Sequence, residues 1–234
     1  MADPVSVLVV DDERPLVAVI TSHLEQEGFV VLAAFDGASA LEIARTDRPD
    51  LIILDIALPD VDGIDVCLDL REFTDAYLIV LTARDDEADK VAALNAGADD
   101  YVLKPFSARE LIARIGAMQR RPRDPRADAE RPVALSDIRI DLGPRVVRLG
   151  GHSVELTRTE YDLLVALASR PGRALTRRQL LDEVWGSDWF GDEQVVDVHV
   201  GHLRRKLGDP ASHPRYIRTV RGVGYAAVTA ATYG

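Results

Sequence analysis

Short apolar runs punctuate the first half of the chain at Val5 to Val10, Phe29 to Ala33, Leu51 to Leu54, Leu78 to Leu81 and Tyr101 to Leu103. Such continuous runs suit strands buried on both faces better than half-exposed ones, which would alternate. Between them, apolar residues recur at helical spacing: Leu16, Ile20 and Leu24; Ala40, Leu41 and Ala44; Val91 and Leu94; Leu111, Ile112 and Ile115. Strands alternating with helices predict an α/β doubly wound sheet of five parallel strands.

From Val133 onward the pattern changes. Ile138, Ile140, Leu142, Val146, Val147 and Leu149 alternate or cluster around Gly143-Pro144 and Gly150-Gly151, which predicts a small antiparallel sheet. Thr157-Arg158-Thr159-Glu160 has the form of a capping box and precedes Tyr161, Leu163, Leu164 and Leu167, with Pro171-Gly172 as the stop; a second box, Thr176 to Gln179, opens Leu180, Leu181 and Val184. A third helix is predicted from about Gln194 to Leu207, ended by Gly208. On it Val196, Val200, Leu203 and Leu207 form one stripe that should face a core. Almost opposite fall Val198, His202 and Arg205, with Gln194 and Gly201 beside them and His199, Arg204 and Lys206 on the flanks. Tyr216 to Tyr225 then reads as a glycine-containing hairpin with Arg218 and Arg221 near its tip. This half is an α+β unit.

Charge separates the same two halves. The whole chain of 234 residues carries a formal net charge of -11, made of -14 over residues 1–120 and +3 over residues 121–234. Residues 120–132 hold three prolines and many charges without apolar periodicity, so the expected organisation is a domain at 1–121, a linker at 122–132 and a second domain at 133–234. Cys67 is the single cysteine, which excludes an intramolecular disulfide and a thiolate metal cluster and fits a reducing cytoplasm. The apolar run at Val5 is too short for a signal-peptide core or a membrane span, so no membrane association is expected.

Chemistry gathers where the predicted parallel strands end. Asp11 and Asp12 follow the first strand, Asp55 ends the third, Thr82 ends the fourth and Lys104-Pro105 follows the fifth. Ligands of open α/β sheets bind outside the carboxyl ends of the strands. Three carboxylates there repel one another unless a hard divalent cation sits among them, and Mg2+ suits that demand. Asp55 is then placed to act as a nucleophile forming an acyl phosphate, with Lys104 meeting a phosphoryl oxygen and Thr82 hydrogen-bonding the product. In the second half, residues 194–221 hold six Lys and Arg against two acids, so basic charge is concentrated on the third helix and the hairpin, as entry into a DNA major groove requires.

Val9-Val10-Asp11-Asp12-Glu13, Ile53-Leu54-Asp55, Leu58-Pro59-Asp60-Val61-Asp62-Gly63, Leu81-Thr82-Ala83-Arg84 and Gly97 to Phe106 resemble a two-component response-regulator receiver domain, a flavodoxin-like fold. That resemblance implies phosphorylation of Asp55 by a partner sensor histidine kinase. It also implies Mg2+ bound by Asp12, Asp55 and the backbone carbonyl of Ala57, with Asp11 acting largely through water, and a switch pair, Thr82 and Tyr101. It further implies a homodimer, formed on phosphorylation, through the face of the fourth helix, fifth strand and fifth helix. Lys90, Asp99, Asp100, Glu110, Arg114 and Arg121 match its charged positions, with pairs such as Lys90 to Glu110 and Asp100 to Arg114.

Leu156 to Leu164, Val196 to Val200 with Leu203 to Leu207, and Arg218 to Tyr225 resemble the winged helix-turn-helix effector of the OmpR/PhoB family. The implied partners are double-stranded promoter DNA with direct repeats and RNA polymerase, the latter through the loop from Trp185 to Glu193. Val198, His202 and Arg205 are the expected base readers, with His199, Arg204, Thr219 and Arg221 on the backbone or in the minor groove. One departure stands out: Gly201-His202 occupies a place where the family commonly has a basic or polar residue followed by arginine.

Two other functions compete. A phosphatase of the haloacid-dehalogenase kind also uses a nucleophilic aspartate with Mg2+, but Ala57 stands where its second aspartate belongs, so an enzyme acting on exogenous substrates is not expected. A DNA-binding regulator independent of phosphorylation, with the first domain only a structural dimerisation module, would have no need for Asp11, Asp12, Asp55, Thr82 and Lys104 together.

Overall fold

The computed structural model describes residues 4–83, 87–119, 132–187, 189 and 191–229. Its contacts divide the chain into two compact units, residues 1–112 and 113–234. The division falls within a helix, Ala108–Gln119, that closes the first unit's alternation of strands and helices. The expected linker, residues 122–132, lies almost wholly outside the described residues.

The first unit holds five strands, β1 (Ser6–Val10), β2 (Val30–Ala34), β3 (Leu51–Asp55), β4 (Tyr77–Thr82) and β5 (Asp100–Leu103). All pair in parallel in the order β2-β1-β3-β4-β5. Every residue of β3 and β4 is buried, as the apolar runs predicted. Fully burying each of their Leu, Ile and Val side chains contributes about 1.5–3 kcal/mol, which makes these strands the core of the unit. The helices are α1 (Arg14–Gln26), α2 (Gly37–Asp47), α3 (Gly63–Arg71), α4 (Glu87–Asn95) and α5 (Ala108–Gln119). Apolar spacing did not single out α3. Its turn-by-turn signal is blurred because Leu68 is half-exposed on the same short helix whose Val66, Cys67 and Leu70 are buried. The strand order reverses between β1 and β3, and that reversal opens a crevice at their carboxyl ends.

The second unit begins with an antiparallel sheet, β6 (Val133–Leu135), β7 (Ile138–Asp141), β8 (Val146–Leu149) and β9 (His152–Val154), in sequential order. Gly150 and Gly151 both take positive φ in the two-residue turn that joins β8 to β9, a conformation that other residues reach only with strain. Helices α6 (Arg158–Ala168) and α7 (Arg177–Val184) start at the two expected capping boxes, and both boxes are complete: Thr157 with Glu160, and Thr176 with Gln179. Helix α8 (Gln194–Leu207) ends at Gly208 in the left-handed conformation. A three-stranded sheet, β10 (Leu175–Thr176), β12 (Gly224–Ala227) and β11 (Ile217–Val220), holds the terminal hairpin against the start of α7. Gly224 is required there, because a Cβ would run into the carbonyl of Leu175. Asp209, just beyond α8, is buried and accepts backbone N–H bonds from Arg215, Tyr216 and Ile217, which fixes where β11 begins. Among the described residues no helix is long and apolar enough to cross a membrane.

Candidate functional site

Strands β1 and β3 flank the sheet's reversal point, with Val10 level with Leu54, so Asp11 and Asp55 emerge side by side at the crevice. Asp55 is level with Leu81 and Thr82 with Leu103, which brings the ends of β4 and β5 to the same edge. Asp11, Asp55 and Thr82 are buried, whereas Asp12 is exposed. Oxygen atoms of Asp11, Asp12 and Asp55 lie within 4.8 Å of one another. Lys104 reaches back from the end of β5, its Nζ 2.7 Å from Asp11 Oδ2 and 2.8 Å from Asp55 Oδ2, with Glu13 Oε1 at 3.7 Å. The backbone N–H of Lys104 donates to the Thr82 carbonyl at 2.7 Å, tying the two strand ends together.

The electrostatics are those of a pocket short of positive charge. Burial raises Asp11 above the usual carboxylate range, and the hydrogen bond from Lys104 does not cancel that rise. Burial pulls the other way on Lys104, but its hydrogen bonds to Asp11 and Asp55 and their charges outweigh it and lift the ammonium above its ordinary value. One ammonium faces three carboxylates, so the donor set fits a hard divalent cation bound by oxygen.

The loop after Asp55 is clamped at several points. Asp55 Oδ1 accepts the N–H of Ala57 at 3.3 Å, and Gly63 donates its N–H to the Ile56 carbonyl at 3.1 Å. A Cβ on Gly63 would collide with the backbone of Asp55 and Ile56. Further along, the carboxylate of Asp60 accepts the N–H groups of Gly37 and Ala38 at the start of α2, at 2.9 and 3.1 Å, and those bonds hold its pKa low. Sequence reasoning passed over Asp60. The available signal was an acid in the loop facing a glycine-initiated helix.

Tyr101 is half-buried on β5, with Lys90 Nζ 5.9 Å from its ring centroid. Lys90 and Glu110 are half-exposed, while Asp100 and Arg114 are buried. Asp99 corrects the expectation of a charge presented at a dimer face. Its side chain has no exposed area, receiving Arg71 Nη2 at 2.6 Å and the N–H of Leu78 at 2.9 Å. Arg71 also donates to the carbonyls of Gly97 and Ala76, so the pair bolts the end of α3 to the entrances of β4 and β5. Arg121 lies outside the described residues.

On the second unit, α8 presents Gln194, Gly201 and Arg205 to solvent, with Val198 half-exposed on the same stripe. His199 and His202 do not stand on this face, which corrects their expected place among the DNA contacts: they are buried, His202 at 8% exposure. The buried arc is wider than the stripe from Val196 to Leu207, because Val195, His199 and His202 form a second buried row. Glu160 of α6 is near that row; it binds Lys206 at 2.7 Å and acts on His202 electrostatically. The rings of Trp189, Trp185, His199 and His202 follow one another at centroid separations of 6.2, 5.6 and 5.9 Å. Burial, then the neighbouring His199 and Arg205, press the His202 imidazole down to about 4.

Arg204 Nη2 donates to the Ile217 carbonyl at 2.8 Å and to Thr219 Oγ1 at 3.0 Å, joining α8 to the hairpin. Asp197 receives Arg177 Nε and the Tyr225 hydroxyl, each at 2.8 Å, and the guanidinium groups of Arg177 and Arg204 lie 5.4 and 5.5 Å from the Tyr225 ring. This knot orients α8 on α7 and β12. Arg221 and Val223 are exposed at the hairpin tip, and Gly222 there takes positive φ.

Comparison with known proteins agrees with both halves. Residues 7–116 match the family described as "Response regulator receiver domain", and residues 151–227 match "Transcriptional regulatory protein, C terminal". A solved structure of a RitR mutant is 32% identical over 95% of this chain and 98% of its own, with a TM-score of 0.76. A second RitR mutant is 31% identical over the same shares, with a TM-score of 0.75. DrrB, an OmpR/PhoB homolog of Thermotoga maritima, is 29% identical over 97% of this chain and all of its own, with a TM-score of 0.52.

Proposed function

The chain belongs to the response regulators that join a receiver domain to an OmpR/PhoB-type DNA-binding domain, and on that footing we propose that a phosphoryl group carried on Asp55 controls its binding to promoter DNA. The observation that carries the reading is the convergence of Asp11, Asp12 and Asp55 on Lys104 at the reversal point of the sheet. A sensor histidine kinase is the donor. Asp12, Asp55 and the Ala57 carbonyl, with Asp11 acting largely through water, would hold Mg2+, which would supply charge neutralisation on the transferred group.

The chain's own residues do the remaining work. Asp55 offers a carboxylate oxygen to phosphorus as the P–N bond to the kinase's phosphohistidine breaks and the released imidazole takes a proton from solvent, while Lys104 Nζ, 2.8 Å from Asp55 Oδ2, is placed to meet an oxygen of the transferred phosphoryl group. The product carries about -1.5 to -2 charges, and the buried Thr82 hydroxyl at the next strand end is placed to donate to it. Because the Thr82 carbonyl holds the Lys104 N–H, motion of Thr82 is passed to β5 and to Tyr101. We take that surface, α4, β5 and α5, as the homodimer face of the phosphorylated protein. Lys90 would pair with Glu110 across it, and Asp100 with Arg114 once these leave their buried positions. Arg121 remains a candidate there.

Paired effector domains would then bind direct repeats, with Val198 and Arg205 reading bases and Arg204, Thr219 and Arg221 on the backbone or in the minor groove. The loop from Trp185 to Glu193 would meet RNA polymerase. We place the protein's action in the cytoplasm, where its kinase partner and promoter DNA meet. Thiol chemistry is a poor candidate for the signal: Cys67 is fully buried and burial pushes its thiol up to about 12. The test is intact mass after incubation with Mg2+ and a small phosphoryl donor. Wild type gains one phosphate and Asp55→Ala gains none; an adduct of equal yield on Asp55→Ala removes Asp55 as the acceptor.

A further inference from the structure

Gly201 sits in the middle of α8, where glycine is the poorest helix former after proline. Several other glycines of the chain answer to a local demand, although Gly116 of α5, like Gly201, does not. Gly63 presses on the backbone of Asp55 and Ile56, Gly224 on the carbonyl of Leu175, and Gly208 and Gly222 take positive φ. Gly201 answers to none: its backbone is helical, it is exposed, and a Cβ built on it would meet no atom within 4 Å. The fold itself would be served better by alanine.

Its place on the helix supplies the missing reason. At about 100° per residue, Gln194, Val198, Gly201 and Arg205 share one stripe, and every member is exposed or half-exposed. Gly201 is the centre of that stripe, one turn from Val198 and one from Arg205. A helix is about 10–12 Å across with its side chains and the major groove is about 12 Å wide, so little slack remains at the point of deepest entry. Glycine is the residue that lets a backbone approach a ligand closely.

Building on the DNA-binding reading above, we infer that Gly201 is where α8 comes closest to the floor of the major groove. It is a specificity-determining position whose missing side chain seats Val198 and Arg205 against the base edges. Val198 and Arg205 are seven residues apart, which is about 10.5 Å along the helix axis. The Val198 methyls suit a thymine methyl and the Arg205 fork suits guanine O6 and N7, so the half-site contains a thymine and a guanine. Arg204, held by Thr219 and the Ile217 carbonyl, keeps the hairpin beside the seated helix.

Gly201→Ala in the full chain separates this role from a neutral one, because stability and binding should move in opposite directions. Trp185 and Trp189 both lie in the second unit, so tryptophan fluorescence follows its unfolding. The apparent Tm is expected to rise by about 4 °C. Affinity for a duplex selected by the wild type from genomic fragments is expected to fall about tenfold or more at fixed salt. Binding to an unrelated duplex should stay within about twofold, since phosphate contacts carry it. Selected-duplex affinity that is unchanged or tighter in Gly201→Ala overturns the inference and leaves the DNA-binding reading standing. A lowered Tm also overturns it, since the position would then be one the fold requires. A wild type that selects no duplex overturns the DNA-binding reading itself, and this inference with it.

Discussion

Acidification should loosen the second unit through His202, and by an amount that can be worked out in advance. Its imidazole is buried at 8% exposure, and burial, then His199 and Arg205, lower its pKa from 6.5 to about 4; Glu160 opposes this and Lys206 adds to it. In the unfolded chain the same ring takes up a proton near its ordinary value. The unfolded state therefore binds more protons between those two values, and stability falls as pH drops. The contribution is fully present above pH 6.5, falls progressively below it and is gone below about 4. At about 1.4 kcal/mol per pH unit, the full gap is worth about 3 kcal/mol, and about 2 kcal/mol is already lost at pH 5. Against a typical domain stability of roughly 5–15 kcal/mol, that loss is readily measured. Urea unfolding followed by tryptophan fluorescence, at pH values from about 7.5 to 4.5, gives the dependence for wild type and for His202→Gln. The variant removes the titrating group, so the difference between the two curves isolates it from carboxylates that titrate nearby. Parallel curves for the two proteins would refute the placement of His202 as a neutral, buried ring.

Two further substitutions probe the other parts of the account. Arg71→Ala leaves the fully buried Asp99 carboxylate without its guanidinium, so the first unit should lose about 3–5 kcal/mol by chemical denaturation; a loss below about 1 kcal/mol would mean that Asp99 faces water in solution. Arg205→Ala removes an exposed cation from the C-terminal end of the reading stripe, and should weaken binding by about 1–3 kcal/mol while relaxing the preference at one guanine. An unchanged selected motif in sequencing of bound fragments would take Arg205 out of the readout.

The sheet was legible because its central strands β1, β3 and β4 are buried on both faces, which leaves uninterrupted apolar runs whose ends can be counted to Asp11, Asp55 and Thr82. The capping boxes at Thr157 and Thr176 were legible for a related reason: the interaction is local, closing within four residues. What escaped depends on a wider buried arc of one helix or on neighbours distant in sequence. His202 lies on the far side of α8 from Leu203 and Leu207 on a helical wheel, but Val195 and His199 extend the buried surface around that flank. Asp99 carries the look of a surface acid until Arg71, 28 residues earlier, is brought against it. Asp60 likewise gains its role only when the loop after β3 meets the start of α2. For Asp99 and Asp60 the deciding contact is tertiary and polar, and such contacts leave no periodic trace in the chain.

In the mechanism proposed above, charge placed on Asp55 is read out as DNA binding. Its most direct test is the affinity for one selected genomic duplex, at one fixed salt, before and after loading with Mg2+ and a small phosphoryl donor, in wild type and in Asp55→Ala. The account predicts that loading tightens wild-type binding to a direct repeat and leaves Asp55→Ala unmoved. Equal affinity of loaded and unloaded wild type would contradict it and would leave the first domain a structural dimerisation module.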